Sequence, residues 1–324
     1  MLERDSRTSK VGNKINTRQY NPAHDRAGFF CQKTHYIYIV ETMNQRKVAI
    51  QGIKGSFHDI AAHRYFSSED IELVECETFE QVFSQMASNP DMIALVAIEN
   101  TIAGSLLHNY ELLRDSGLTI VGEQKLRITH SIMCLPEDNW ADVVEVNSHP
   151  VALMQCRDFL TRHSGLKVVE VADTAGAAHD IQQHQLRGHA AICHKDAAAI
   201  YGMKILEEGI ETNKHNFTRF LVLADKSKAN RLRDIRHTNK ASLVFSLPHE
   251  EGSLSAILSI LSFYKLNLTK IQSLPIIGKE WQYMFYIDVS YDNIERFHQA
   301  LNAITPLTNE LKNLGVYQNG KQSH

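Results

Sequence analysis

An α/β fold follows from three features of the chain. From Lys47 onward, short apolar segments alternate with stretches of helical periodicity. One of those segments, IALVAI at 93–98, is apolar without interruption, as a strand covered on both faces of a parallel sheet is. From about residue 241 the beat changes to strand–helix–strand–strand–helix–strand, the order of a ferredoxin-like α+β unit. The composition, 43% hydrophobic and 22% charged, is that of an ordinary globular protein. A chain of 324 residues has room for two or three domains.

The elements follow in order. Residues 1–46 are polar and irregular apart from YIYIV at 36–40, and read as a disordered extension or a tag. Met43 is then an alternative start to Met1. VAIQGI (48–53) is a strand ending in glycine, and SFHDIAAHRYF (56–66) a helix with Phe57, Ile60, Ala61 and Tyr65 at helical spacing. Thr78 and Gln81 form a capping box before Phe79, Val82, Phe83 and Met86, which share one helix face. After IALVAI, residues 105–117 are a helix stopped by Gly117. VVEV (143–146) is a strand, and 149–165 a helix with Pro150 in its first turn. KVVEVA (167–172), TAGAAHDIQQHQ (174–185), AAIC (190–193) and DAAAIYG (196–202) continue the alternation, and FTRFLVLAD (217–225) closes it. Strands separated by helices in this way predict parallel sheets, with ligands at the carboxyl ends of the strands. The charged segment 225–240 reads as a linker, and the second unit occupies 241–320, with a turn at Gly278-Lys279-Glu280.

Several function classes are excluded at this level. The N-terminus lacks an apolar core of signal-peptide length, and no run of about 18 apolar residues occurs. The cysteines Cys31, Cys76, Cys134, Cys156 and Cys193 are odd in number, scattered, and form no C-x-x-C pair, which argues against disulfides and zinc alike. A reducing cytoplasm is the expected compartment. The glycosylation patterns at Asn216-Phe217-Thr218 and Asn267-Leu268-Thr269 then carry no weight. A net charge of -3 gives no reason to expect nucleic acid. His58 and His63 stand five apart, about 140° around a helix, and His179, His184 and His189 share that spacing, so no metal site is expected.

Polar groups gather at three strand ends. Glu99-Asn100-Thr101 follows IALVAI and places a carboxylate and an amide above the sheet, unless Asn100 or Thr101 merely caps the next helix. Ser148 ends another strand, seven positions before Gln155; on one helix the two share a face, and Ser148 also suits an N-cap. Asn216-Phe217-Thr218-Arg219-Phe220 opens the last strand. There Thr218, Phe220 and Val222 share one face and Arg219 and Leu221 the other, so Thr218 and Arg219 reach one ligand only if the strand starts after them. A threonine in a dry cleft donates a hydrogen bond to a leaving oxygen, and an arginine offers a fork to a carboxylate. GIKGS (52–56) lacks the spacing of a phosphate loop.

IENTIAGSLLHNYELL, IVGEQKLRITHSIM, NSHPVALMQC, ADTAGAA, AAICHKDAAAIYG and NFTRFLVL occur in that order, and together they resemble prephenate dehydratase. The segment SLVFSLPHEEGSLSAILSILSFYKLNLTKIQSLP resembles the ACT regulatory domain that follows the catalytic domain in that family. The likeness covers about 47–320. It implies a two-lobed catalytic domain of the type II periplasmic binding-protein kind over 47–224, with the second lobe at roughly 126–204, and an ACT domain over 241–320. The implied reaction takes prephenate to phenylpyruvate with loss of water and carbon dioxide, without a cofactor. Thr218 is implied to assist departure of the ring hydroxyl, with Ser148, Gln155, Glu99 and Asn100 as further catalytic groups. Asn216, Arg219, Phe220, Thr101 and Ser56 are implied to bind substrate or order the site. A homodimer or homotetramer, with L-phenylalanine as an effector, comes from the same resemblance.

The departures from the family pattern are specific. Its opening Gly-Pro-x-Gly-Thr/Ser-x-Ser stands here as Gly52-Ile53-Lys54-Gly55-Ser56-Phe57-His58. Its effector motifs Gly-Ala-Leu and Glu-Ser-Arg-Pro stand as Gly252-Ser253-Leu254 and Gln272-Ser273-Leu274-Pro275. Gly252, Ser253, Leu254, Asn267, Gln272 and Ser273 are the candidate effector contacts, and loss of the acid and the base there implies weakened or altered feedback by phenylalanine. Arogenate, which carries an amino group where prephenate has its keto oxygen, is the alternative substrate. A catalytically silent amino-acid sensor is the alternative of another class.

Overall fold

The computed structural model describes residues 45–232, 235–320 and 322–323. The expected extension, Cys31 and Met43 therefore lie outside the described residues, apart from the last two positions of that extension. Three sheets organise the rest.

The first lobe runs β1 (Arg46–Gln51), α1 (Phe57–Tyr65), β2 (Ile71–Cys76), α2 (Phe79–Ser88), β3 (Ile93–Asn100), β4 (Gly104–Ser105), α3 (Leu107–Ser116) and β5 (Thr119–Arg127). The second lobe contains β6 (Ser131–Cys134), β7 (Glu145–Ser148), α4 (Pro150–Gln155), α5 (Arg157–Arg162), β8 (Lys167–Glu170), α6 (Thr174–Gln183), β9 (His189–Cys193), α7 (Asp196–Tyr201) and β10 (Lys204–Glu208). The chain then returns as β11 (Phe217–Ala224) and pairs β11 between β3 and β5 of the first lobe.

The two lobes repeat one arrangement. In the first, β2, β1 and β3 are parallel, β11 runs antiparallel to β3, and β5 antiparallel to β11. In the second, β8, β7 and β9 are parallel, with β6 antiparallel to β9 and β10 antiparallel to β6. This is the two-lobed type II arrangement that the resemblance implies. The fully parallel sheets expected from the alternation are corrected to mixed ones, because the chain passes between lobes at both ends of the second lobe and each passage reverses a strand. The crossing segments are short, so the carboxyl ends of both parallel sets face one cleft.

Other departures have local causes. β2 and β10 escape the apolar-run reading because acidic residues interleave both (IELVEC, KILEE). β5 and β6 lie in a segment mixing charges with apolar residues. The helix expected from Ser105 starts at Leu107, since Gly104 and Ser105 pair back onto Asn100 and Glu99. The strand expected at 143–146 is shifted to Glu145–Ser148. The single helix expected over 149–165 breaks at Cys156 into α4 and α5. The expected linker contains a short helix, α8 (Ala229–Leu232), whose Ala229 is buried against the first lobe. The Thr78 cap forms as expected, although Gln81 reaches back to the Glu77 N–H rather than to Thr78 itself.

The third sheet comprises β12 (Lys240–Ser246), β13 (Asn267–Pro275), β14 (Tyr283–Ser290) and β15 (Glu310–Tyr317), with helices α9 (Ser253–Phe263) and α10 (Ile294–Ile304). Its order β13-β14-β12-β15, all antiparallel, is the ferredoxin-like one. One face packs on α9 and α10 through Ile257, Leu261, Phe297 and Ile304. The other contributes Val244, Met284, Tyr286 and Tyr317 to the first lobe's core, against Val96, Ile98, Tyr110 and Leu221. At Gly315 the approach is so close that a Cβ would stand 2.4 Å from the Ile120 carbonyl oxygen, which requires glycine there.

A buried ion cluster crosses this contact. Arg219 donates from Nε to Glu123 Oε2 at 2.6 Å, from Nη1 to Asp288 Oδ2 at 2.5 Å and from Nη2 to the Tyr317 hydroxyl at 2.9 Å. Lys240 Nζ adds a bond to Glu123 at 2.9 Å, and Ser242 Oγ donates to Asp288 Oδ1. Burial pushes the Glu123 carboxyl upward, but Arg219 and Lys240 outweigh it and hold the group down at about 2. Because that folded value lies below the ordinary 4.5, the resulting stability is present at neutral pH and is lost as pH falls toward 2. Asp288→Ala, which removes one of the carboxylates bonded to the buried Arg219 guanidinium, is expected to cost about 3–5 kcal/mol by chemical denaturation. Glu123→Gln should lower stability at neutral pH and flatten its decline in acid, as read by the same denaturation curves between neutral pH and pH of about 2.

Candidate functional site

The cleft between the lobes holds a cavity of about 250 Å³ lined by Gln51, Ser56, His58, Asn100, His130, Gln155, Asp173 and Thr218, among others. Thr218 and Asn100 reach it from adjacent antiparallel strands, where they are paired in register. A β-bulge puts Asn100 there. Along β3, Ile93, Leu95 and Ala97 face the cleft-side core, while Ala94, Val96 and Ile98 face the third sheet. Strict alternation would send Asn100 to the latter face. The register with β11 slips between Ala97 and Glu99, so parity reverses and the Asn100 amide enters the cleft.

Hydrogen bonding then fixes that amide in one orientation. Its Oδ1 accepts from the Ile102 and Ala103 backbone N–H groups at 2.9 and 2.8 Å, which only an oxygen can do. Its Nδ2 donates to Asn216 Oδ1 at 2.8 Å and to Thr218 Oγ1 at 2.9 Å. The threonine oxygen is thereby an acceptor, and its own O–H is left to donate elsewhere. A hydroxyl polarised in this way is a better donor than an isolated one.

The remaining walls are close to neutral. Ser56 caps α1, its Oγ accepting from the Asp59 N–H. His58 is buried, and its Nε2 accepts from the Ala97 N–H at 3.3 Å. Burial drives its pKa down to about 3, so the ring is uncharged. Phe220 meets that ring edge-on at 5.0 Å. Across the cleft, His130 and Gln155 are joined through Nε2 and Oε1 at 2.8 Å. Burial lowers the His130 pKa, against the opposing effects of Gln155 and Glu211. Asp173 caps α6, and burial raises its pKa although the Gly176 and Ala175 N–H groups oppose the rise. Among the described residues no group of three or more His, Cys, Asp or Glu side chains could hold a metal.

Of the residues singled out in the sequence, the cleft brings together Thr218, Asn100, Gln155, Ser56 and Phe220. Arg219 points through the opposite face of β11 into the ion cluster, so its placement as a substrate contact is corrected. The strand begins at Phe217, before both residues, and so Thr218 and Arg219 diverge. Glu99 is likewise turned away, 3.0 Å from Lys270 and 3.6 Å from Arg219. Ser148 is neither an N-cap nor on a helix with Gln155. It ends β7, fully buried, and donates to the Ile192 carbonyl at 2.5 Å, while His149 caps α4. Thr101 lies outside the cleft and pins the chain return by accepting from the Phe217 N–H at 2.9 Å. Asn216 is wholly buried behind Asn100. In the third unit, Ser253 and Leu254 line a small surface cavity with His249, Trp281 and Tyr283, while Gly252, Asn267, Gln272 and Ser273 do not.

His130 and Asp173 were not singled out in the sequence. Asp173 reads there as an ordinary cap before Thr-Ala-Gly, and His130 ends a crossing segment with no helix or strand signal of its own.

A family model described as prephenate dehydratase matches residues 48–228. Arogenate dehydratase 3, chloroplastic, of Arabidopsis thaliana is 36% identical over an alignment of 290 residues that covers 84% of this chain and 66% of that relative, just under two thirds of its length. A solved structure described as GqqA, a novel type of quorum quenching acylase, matches with a TM-score of 0.74 at 27% identity, covering 85% of this chain and 98% of the other. Prephenate dehydratase from Arthrobacter aurescens, in complex with L-Phe, has a TM-score of 0.76 at 24% identity, covering 86% and 92%, and shares the fold.

Asn100→Asp replaces the donor to Thr218 by a carboxylate of the same shape. Steady-state kinetics of this variant should show kcat lower by about 10²-fold or more with KM much less affected.

Proposed function

The chain belongs to the prephenate dehydratase family, and we propose that it removes water and carbon dioxide together from prephenate, giving phenylpyruvate. The observation that carries this reading is the Thr218 hydroxyl, held as an acceptor by Asn100 and so left to donate into a nearly neutral cleft. Prephenate is a cyclohexadiene whose ring carboxylate and ring hydroxyl stand at opposite ends of the ring. When the C–CO2 bond breaks, its electron pair enters the ring, the double bonds shift, and the C–OH bond breaks at the far end. The hydroxyl leaves hydrogen-bonded to Thr218, and one proton taken from solvent completes the water. Aromatisation makes the step downhill, so the protein need only orient the ring and stabilise the leaving oxygen. Gln155, fixed by His130, serves as a neutral contact from the other lobe.

Arogenate is the second reading, supported by the Arabidopsis relative. A silent sensor is disfavoured, since such a protein would not need the bulge that delivers Asn100 to Thr218. An acylase reading is disfavoured too. Nucleophilic attack by Thr218 needs a base on its hydroxyl, and the bonded neighbour there is an amide, which cannot take a proton. We also infer that the third sheet is an ACT-type regulatory unit, that copies of the chain pair through it, and that the four described cysteines, all free and buried, suit a reducing cytoplasm. No helix among the described residues is long and apolar enough to cross a membrane.

Phenylpyruvate formation, followed by ultraviolet absorbance, tests the reading. Thr218→Val, which keeps the shape and removes the donor, should lose roughly 10²–10⁴ in kcat while retaining its circular dichroism. A variant as active as the wild type would overturn Thr218's role. Millimolar L-phenylalanine is expected to leave turnover nearly unchanged, because Gln272 and Leu274 replace the charged residues of the family's effector motif. Strong inhibition in the same assay would contradict this.

A further inference from the structure

The elimination proposed above needs the Thr218 hydroxyl held by Asn100, and the third sheet touches the hairpin that carries Asn100. We infer that Lys270 of β13 is a positioning residue for the reaction. It clips the β3–β4 hairpin from outside the cleft and so keeps the Asn100 amide on Thr218. The inference rests on the elimination reading and adds to it a residue remote from the cleft lining.

Lys270 Nζ donates to Ser105 Oγ at 2.8 Å and stands 3.0 Å from Glu99 Oε2. Glu99 and Ser105 are cross-strand partners, and Asn100 pairs with Gly104. One ammonium therefore joins the two arms of a hairpin whose turn, Thr101 to Gly104, is exposed. That turn supplies the Ile102 and Ala103 N–H groups that fix Asn100 Oδ1, and Ala103 also lines the cleft. An exposed turn on a two-residue strand has little packing of its own to order it, so a tie across its base counts. Lys270 is itself well placed to hold. Its ammonium lies 5.3 Å from the centre of the Tyr110 ring, and its side chain is 9% exposed, so water reaches the ion pair from the Glu99 side.

Two irregularities bring these groups together. In β13, Leu268 packs with the helices of the third unit and Leu274 with the first lobe's core, although their even spacing would put both on one face. The register with β14 slips between Leu268 and Lys270, so parity reverses there and Lys270 takes the first-lobe face with Leu274. The slip in β3 turns Glu99 to meet it from the other side. As a brace between units the pair would add stability alone; as a clip it also sets the turn that orients Asn100. The two roles differ in what they change.

The test uses the full chain. Lys270→Met keeps the length of the side chain and removes its charge. Glu99 retains Arg219 at 3.6 Å, so the fold should persist, as thermal melting will show. The expected result is a kcat for phenylpyruvate formation lower by about 10–100-fold with KM nearly unchanged. Glu99→Gln breaks the contact from the other side and carries the same expectation should Lys270→Met melt early. The double variant should be no worse than the weaker single one, since both changes remove one contact. Amide hydrogen exchange at Ile102 and Ala103 should quicken in Lys270→Met while that at Leu243 and Val244 of β12 holds, which separates a loosened turn from a general loss of stability. Unchanged exchange at the turn, a wild-type kcat in the variants, or losses that multiply in the double variant would overturn the clip and leave the reaction standing. Faster exchange confined to the turn supports the clip even if the wild type turns over no substrate, which would be a failure of the reaction alone.

Discussion

The structure turns on β11 being a strand with two different jobs on its two faces. Thr218, Phe220 and Val222 look into the cleft and its core; Arg219, Leu221 and Leu223 look toward the third sheet. Because side chains in a strand alternate, the hydroxyl and the guanidinium cannot share a ligand, and each is held by its own network. Arg219 joins Glu123 of β5 to Asp288 of β14 and Tyr317 of β15. The back of the strand that carries Thr218 is thus bonded to the third sheet through buried charges. A buried guanidinium with several partners tolerates little displacement, since any lost bond leaves a charge uncompensated. The position of Thr218 is therefore set from behind as much as from within the cleft.

The front of the strand depends on a single irregularity. One extra residue in β3, between Ala97 and Glu99, sends Glu99 toward Lys270 and Asn100 toward Thr218. Without it the two would exchange faces, putting a carboxylate beside the Thr218 hydroxyl and an amide among the cations. The exchange would disrupt both networks, because a carboxylate there could not donate to the Thr218 oxygen and Lys270 would lose its partner. The bulge also orders the turn that follows, whose Ile102 and Ala103 N–H groups fix the amide. Orientation of the Thr218 hydroxyl is thus a property of backbone geometry, transmitted through one side chain.

The cleft as a whole favours neutral donors. His58 and His130 are kept uncharged by burial, each with a ring nitrogen engaged, and Gln155 is positioned by the latter. For the elimination proposed above, that is sufficient: the ring must be oriented and one oxygen must be hydrogen-bonded as it leaves. Asp173 is the one carboxylate among the described lining residues, and burial raises its pKa.

Much of this was legible in the sequence. Apolar runs and capping residues located most helices and the central strands, and the ferredoxin-like order of the third unit could be read directly from periodicity. Thr218, Asn100 and Gln155 stood out as polar groups at strand or helix ends, and the opposite facing of Thr218 and Arg219 followed from strand parity. The sequence alone did not yield the edge strands β2 and β10, where acids interrupt the apolar pattern because one edge of each is uncovered. Nor did it yield the fates of Glu99 and Ser148. Glu99 is adjacent to Asn100 in every reading of the chain, and only the bulge, a matter of register between β3 and β11, decides that they part. Ser148 precedes a proline-started helix and looks like its cap, yet the end of β7 carries it into contact with Ile192 of β9. Composition and period determine what each segment becomes, because those preferences are local. Which side chains meet in the cleft was decided by tertiary structure, because register, crossing and burial depend on partners far away in the chain.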